Sequence, residues 1–93
     1  MGALKGKGRG RERWCLYILE CSDGTFYTGI TTDMARRLEQ HNQGVASRYT
    51  RTRRPVRLRY LEAVPTHPAA LRRERALKSL PRAEKQKLID AQP

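Results

Sequence analysis

Trp14-Cys15-Leu16-Tyr17-Ile18-Leu19-Glu20, then Cys21-Ser22-Asp23-Gly24, then Thr25-Phe26-Tyr27-Thr28-Gly29-Ile30-Thr31-Thr32: this stretch decides the fold. Its two flanking runs are rich in aromatic and branched residues, and an Asp-Gly pair between such runs marks a β-hairpin. Two registers are open. A two-residue Asp23-Gly24 loop pairs Ser22 with Thr25 and sends Tyr17 and Tyr27 to opposite faces. A three-residue loop, Ser22 to Gly24 with Gly24 in the left-handed region, pairs Cys21 with Thr25 instead. Side chains alternate with period two, so the second register puts both tyrosines on one face as diagonal neighbours, about 7–8 Å apart. The second register is the expected one.

Tyr17, the Tyr27-Thr28-Gly29 string and the later Arg36-Arg37-Leu38-Glu39-Gln40-His41-Asn42 resemble the GIY-YIG nuclease domain, above all its small stand-alone bacterial members. The likeness runs from about Trp14 to Ile89. Cys15-Leu16-Tyr17 stands where the family name has Gly-Ile-Tyr, and Thr28 stands where it has isoleucine; both tyrosines and Gly29 are kept. The ordered set Tyr, Tyr-x-Gly, Arg, His, Glu is the specific part of the match.

Ninety-three residues make one domain with a modest core. Twenty Lys and Arg against nine Asp and Glu leave +11, which points to a polyanionic partner, nucleic acid before anionic membrane. No basic amphipathic helix of membrane-surface pattern, apolar run of about 18 residues or N-terminal apolar core of a signal peptide is present. Cys15 and Cys21 fall in one strand, near 20 Å apart at about 3.3 Å per residue, beyond disulfide reach and without zinc spacing. Reduced, half-buried thiols and a cytoplasmic location are expected.

Residues 1–13 carry five basic residues and one acidic among glycines, and read as a disordered basic tail. The domain is expected over 14–91. After the hairpin, Thr32-Asp33 caps a helix from Met34 to Asn42 that stops at Gly44. A basic loop spans Val45 to Pro55, Val56 to Val64 alternates as a third strand, and Thr66 or His67 caps a helix with Pro68 in its first turn, running to about Ser79. Pro81 precedes a last helix, Ala83 to Ala91. The order ββαβαα gives an α+β fold: a small three-stranded antiparallel sheet flanked by helices.

Several side chains sit where ordinary packing does not want them. On the first helix Met34 and Leu38 form the apolar stripe, and Arg37 and His41 fall on or beside it. A guanidinium turned toward the sheet needs either a carboxylate or a phosphate at a cleft edge, and the neighbouring tyrosines favour phosphate. His41 is open between a hydrogen-bonded structural residue and a member of that cleft. Arg36 is a solvated or nucleic-acid-facing charge. On the next helix Glu74 lies among Arg72, Arg73, Arg75 and Lys78, next to the inner face of Ala70, Leu71 and Leu77. It is either an ordinary surface ion pair or a carboxylate for one hard divalent ion. No Asp/Glu pair of a two-metal nuclease is visible, and Glu20, Asp33 and Glu62 are weaker candidates.

The resemblance implies a metal-dependent endonuclease acting on DNA, single-stranded or branched, in repair or recombination. The alternative is a basic nucleic-acid-binding module that keeps the fold without turnover. In the enzyme reading Tyr17, Tyr27, Arg37, His41 and Glu74 are catalytic, and Glu74 holds one Mg²⁺ or Mn²⁺. Tyr27 deprotonates the attacking water, Tyr17 orients it or stabilises the oxyanion, and these two roles can be exchanged. Arg37 neutralises charge growing on the phosphorus centre. Gly29 allows close approach of the backbone to helix or substrate, and Arg36, Arg48, Arg51 and Arg53 contact the nucleic acid. A monomer or weak dimer is expected, with room for a protein partner that supplies specificity.

Overall fold

The computed structural model describes residues 13–92. The basic tail expected over 1–13 lies, Arg13 excepted, outside the described residues. Strand β1 (Trp14–Glu20) pairs antiparallel with β2 (Phe26–Thr31), and the three-residue turn decides how. Gly24 takes φ +84°, where a side chain is strained. Cys21 N donates to Thr25 O at 2.8 Å, and Gly24 N donates to Cys21 O at 2.9 Å. Asp23 Oδ1 accepts from both the amide and the hydroxyl of Thr25, at 3.1 and 2.6 Å, which fixes the turn from inside. Tyr17 therefore faces Gly29 and Leu19 faces Tyr27, the register that leaves the two tyrosines on one face.

Strand β3 (Arg57–Val64) pairs antiparallel with the other side of β1, so the sheet order is β2-β1-β3 and β2 is an edge. A register shift between Ile18 and Leu19 marks a bulge in that pairing. The strand begins one residue later than its alternation suggests because Asn42 takes Val56 out of the ladder. Asn42 Oδ1 accepts from Val56 N at 2.8 Å while its Nδ2 donates to Val56 O at 3.0 Å.

Helix α1 (Met34–Gln43) starts where Asp33 accepts from Arg36 N at 3.1 Å and ends at Gly44, φ +83°. Helix α2 (Arg48–Arg51) occupies the middle of the segment expected to be a loop. Four residues are too few to show a helical period, and its only sequence trace is Ser47, whose hydroxyl accepts from Thr50 N at 3.1 Å. Helix α3 (His67–Lys78) is capped by Thr66 with Pro68 in its first turn, and α4 (Arg82–Ala91) follows Pro81. The expected ββαβαα order holds, with α2 inserted before β3.

Alternation along β1 splits the core. Leu16 and Ile18 pack with Tyr60, Val64, Ala70, Leu77 and Ile89 on one face, covered by α3 and α4. Tyr17, Leu19 and Cys21 face the other way with Val56, Met34 and Leu38, covered by α1. Each fully buried Leu or Ile here contributes about 1.5–3 kcal/mol. Cys15 and Cys21 are free thiols, and Cys15 Sγ donates to Thr31 O at 3.3 Å. Thr28 sits on the Ile18 side with its hydroxyl buried and, among the described residues, unpaired, a polar residue in an aliphatic place.

Candidate active site

Tyr17 is 1 % exposed, and its ring crosses its register partner Gly29 toward the sheet edge. A Cβ on Gly29 would meet Tyr17 Cζ at 2.6 Å, so only glycine leaves room for the ring. The close approach expected of Gly29 is therefore made by Tyr17, and the space over this residue is taken.

The Tyr17 hydroxyl lies 2.9 Å from Nε2 of His41, which is fully buried. On its other side His41 Nδ1 lies 2.8 Å from the hydroxyl of Thr50, itself fully buried, and Thr50 Oγ1 lies 2.9 Å from Ser47 Oγ. Four side chains, from β1, α1, α2 and the residue that caps α2, thus form one hydrogen-bonded row. Tyr27 joins from β2, with its ring edge-on to His41 at 5.1 Å and stacked on Tyr49 at 6.0 Å. The short α2 supplies Tyr49 and Thr50, which the sequence offers only as polar members of a phosphate-binding loop; here they bond and stack inside the site instead.

Arg37 stands beside the Tyr17 hydroxyl, and its NH1 donates to Gln40 Oε1 at 3.2 Å. Its Nε is buried without a partner among the described residues, a costly state for a cationic group unless a ligand completes it. Burial pushes the Tyr17 hydroxyl up to about 12; the Arg37 hydrogen bond opposes this, and the charges of Tyr27 and Glu74 add to it. Burial, with Arg37 behind it, holds His41 down to about 4, so its ring is neutral at pH 7. Glu74 comes from α3 on the opposite face of the sheet, yet its charge acts on Tyr17 at the β2 edge. Its own ion pair is a 3.4 Å contact with Lys78 one turn on.

The weaker acidic candidates are occupied. Glu20 pairs with Arg57 and Arg59, Asp33 caps α1, and Glu62 takes a two-pronged bond from Arg73, at 2.8 and 3.1 Å, and the Tyr60 hydroxyl at 2.7 Å. Of the basic residues, Arg36, Arg48 and Arg51 are exposed. Arg53 differs from the expectation of a backbone contact. Its Nε donates to Asp23 at 3.0 Å, its NH1 donates to Tyr49 O at 2.9 Å, and its guanidinium lies 3.9 Å from the Tyr49 ring centroid. It braces α2 against the hairpin turn, because a carboxylate, a carbonyl and an aromatic face lie within its reach.

The match to known proteins agrees with this geometry. Residues 13–87 match the GIY-YIG catalytic domain. A UPF0213 protein of Halobacterium salinarum is 51 % identical over 74 residues, 80 % of this chain and 96 % of that one. One of Desulfotalea psychrophila is 44 % identical over 92 residues, 98 % of this chain and 84 % of that one. The solution NMR structure of a UPF0213 protein of Bacillus halodurans superposes with TM-score 0.55 at 44 % identity, covering 84 % of this chain and 83 % of that one. That of a protein from E. faecalis gives 0.60 at 36 %, covering 86 % and 85 %. Among the described residues no helix is long and apolar enough to cross a membrane. Tyr17 over a glycine with Tyr27 on the same sheet face, an arginine and a histidine on the next helix, and a matching domain over most of the chain lead to one conclusion: the chain belongs to the GIY-YIG family of nuclease domains, beside its small stand-alone UPF0213 members.

Proposed function

We propose that the protein is a metal-dependent endonuclease that hydrolyses phosphodiester bonds in single-stranded or branched DNA, in cytoplasmic repair or recombination. The observation that carries this reading is the meeting of Tyr17, Tyr27, Arg37 and His41 on one sheet face, with the buried Arg37 Nε left unpaired.

Glu74 suits one Mg²⁺ or Mn²⁺. Its side chain is 20 % exposed and, among the described residues, bound only by a long contact to Lys78. Among the described residues no group of three His, Cys, Asp or Glu side chains gathers to hold a metal. A hard divalent ion that keeps several waters needs only one or two carboxylates, so a single glutamate with substrate oxygens fits. Bound there, such an ion supplies Lewis-acid stabilisation of charge on the phosphate and leaving oxygens.

The chain's own residues do the rest. Arg37 receives a phosphate oxygen, which completes its guanidinium and offsets charge that grows during attack. Thr50 accepts from Nδ1–H of His41, which leaves Nε2 to accept from the Tyr17 hydroxyl; this tautomer is inferred from the bonding pattern. Tyr17 then takes the proton of the attacking water as it passes its own to His41. A phosphate on Arg37 cancels part of the charge that depresses His41, so proton acceptance becomes easier with substrate bound. Tyr27 orients the water. This assignment exchanges the two tyrosine roles, because the hydrogen bond to His41 belongs to Tyr17.

Labelled single-stranded, duplex and flap DNA, and RNA, incubated with Mg²⁺, Mn²⁺ or EDTA, test the reading. Cleavage of an unpaired or branched DNA with either ion and none with EDTA is expected. Binding without cleavage of any form would replace it with a non-catalytic binding module.

A further inference from the structure

A cavity of about 250 Å³ opens beside Arg37, with neither His41 nor any residue of α2 in its lining. Trp14 and Ile30 supply its apolar wall, and Asp33, Arg36, Arg37 and Gln40 its polar one. It is smaller than the pockets of about 300–1,000 Å³ that enclose drug-sized ligands, so it suits a single flat group. The indole is held in place beforehand. Trp14 stacks on His67 with ring centroids 4.3 Å apart and planes 19° apart, which ties the first residue of β1 to the start of α3. Gln40 has its carbonyl fixed by Arg37 NH1, which leaves its amide hydrogens to donate. Asp33 Oδ1 caps α1, which leaves Oδ2 to accept. Arg36 is exposed at the rim, and Arg37, whose Nε is buried and unpaired among the described residues, lines the wall.

An aromatic wall, a donor, an acceptor and two guanidiniums make up the chemistry that takes a nucleotide: ring against ring, base edge against amide and carboxylate, phosphate against arginine. We propose that this cavity is a nucleobase subsite, in which one unpaired base of the substrate strand lies against Trp14 while its phosphate reaches Arg37. A base that stays in a duplex keeps its own stacking partners and does not enter, so the subsite makes an unpaired nucleotide beside the cleaved bond the favoured substrate. The inference rests on the nuclease reading above.

Trp14 is the one tryptophan of the chain, so its emission reports the subsite directly. The probe is an end-labelled single-stranded octadeoxythymidylate and its fully abasic counterpart, titrated into the Glu74→Gln variant so that nothing is cut. Anisotropy reads binding, and indole emission reads stacking. Both oligonucleotides are expected to bind, the thymidylate more tightly, and only the thymidylate to quench Trp14. Trp14→Leu keeps an apolar wall without the ring, and should weaken thymidylate binding about tenfold, within the range base stacking on an aromatic is worth, while leaving the abasic strand unaffected. If thymidylate binds with emission unchanged, or the abasic strand quenches equally, the subsite is wrong and the nuclease reading stands. If neither oligonucleotide binds, both fall. Should Trp14→Leu fail to fold, the comparison of the two strands on Glu74→Gln decides alone.

Discussion

The Tyr17 hydroxyl and His41 Nε2 lie 2.9 Å apart, joining the central strand to the last turn of α1 across 24 positions of sequence. The bond makes the tyrosine the hinge of the site: its ring needs the bare backbone of Gly29, and its oxygen bonds His41 while the Arg37 guanidinium acts on its acidity.

Tyr17→Phe should slow cleavage at least about a hundredfold, the usual worth of general acid–base work. It also leaves His41 Nε2 buried without a partner, at a cost of about 1–3 kcal/mol in stability. Tyr27→Phe should slow cleavage less and leave the melting temperature nearly unchanged. Single-turnover rates and thermal melts on the two variants check the assignment, and the reverse ranking would give the proton transfer to Tyr27.

Stability should fall in acid before the carboxylates titrate. His41 is held near 4 in the folded protein against an ordinary value of 6.5, so between these values the unfolded chain binds the proton more readily. The stabilisation is fully present above about pH 6.5 and lost as pH falls toward 4, amounting to at most about 3 kcal/mol. Denaturant melts from pH 7 to 4 should show this slope, and His41→Gln should flatten it.

Thr28→Val should stabilise the protein. The hydroxyl is buried without a partner, and valine keeps the shape while removing the unsatisfied oxygen. A gain of about 1 kcal/mol should raise the melting temperature by about 4–8 °C for a domain of this size. A lower melting temperature would mean that the hydroxyl has a partner.

Gly29→Ala should do the opposite. The added methyl collides with the Tyr17 ring, and overpacking of this kind costs about 1–3 kcal/mol. Cleavage should fall with stability, since the displaced hydroxyl leaves His41.

Arg48 and Arg51 should carry the salt dependence of nucleic-acid binding, and Arg53 should not. Replacing either exposed arginine by Ala should reduce the slope of log affinity against log salt by roughly 0.7 per lost phosphate contact to a single strand. Arg53→Ala should instead loosen α2 and lower the melting temperature, because its guanidinium joins Asp23 to Tyr49. Anisotropy titrations at several salt concentrations separate the two effects.

The sequence by itself determined the hairpin and the caps, and it singled out the residues to which the chemistry is assigned above. The Asp23-Gly24 pair marked the hairpin and narrowed it to two registers, and in the expected one, which the three-residue turn adopts, period-two alternation puts Tyr17 and Tyr27 on one face. Helical spacing singled out Arg37, His41 and Glu74, since a charge or imidazole beside an apolar stripe is visible from spacing alone. Those signals are local, a few residues long, and so survive without the fold. Only the tertiary structure decided how distant groups share their hydrogen bonds. That His41 is satisfied by Thr50 as well as Tyr17, that Arg53 goes to Asp23, and that Glu20 and Glu62 are taken by arginines all depend on contacts between separate elements. The same holds for α2, whose four residues are too few to carry a period and which stands where its Thr50 bonds His41 and its Tyr49 stacks on Tyr27. A composition names the charges present; which of them remain unpaired, like Arg37 Nε, is settled only when the chain has packed and the neighbouring donors have taken the acceptors within reach.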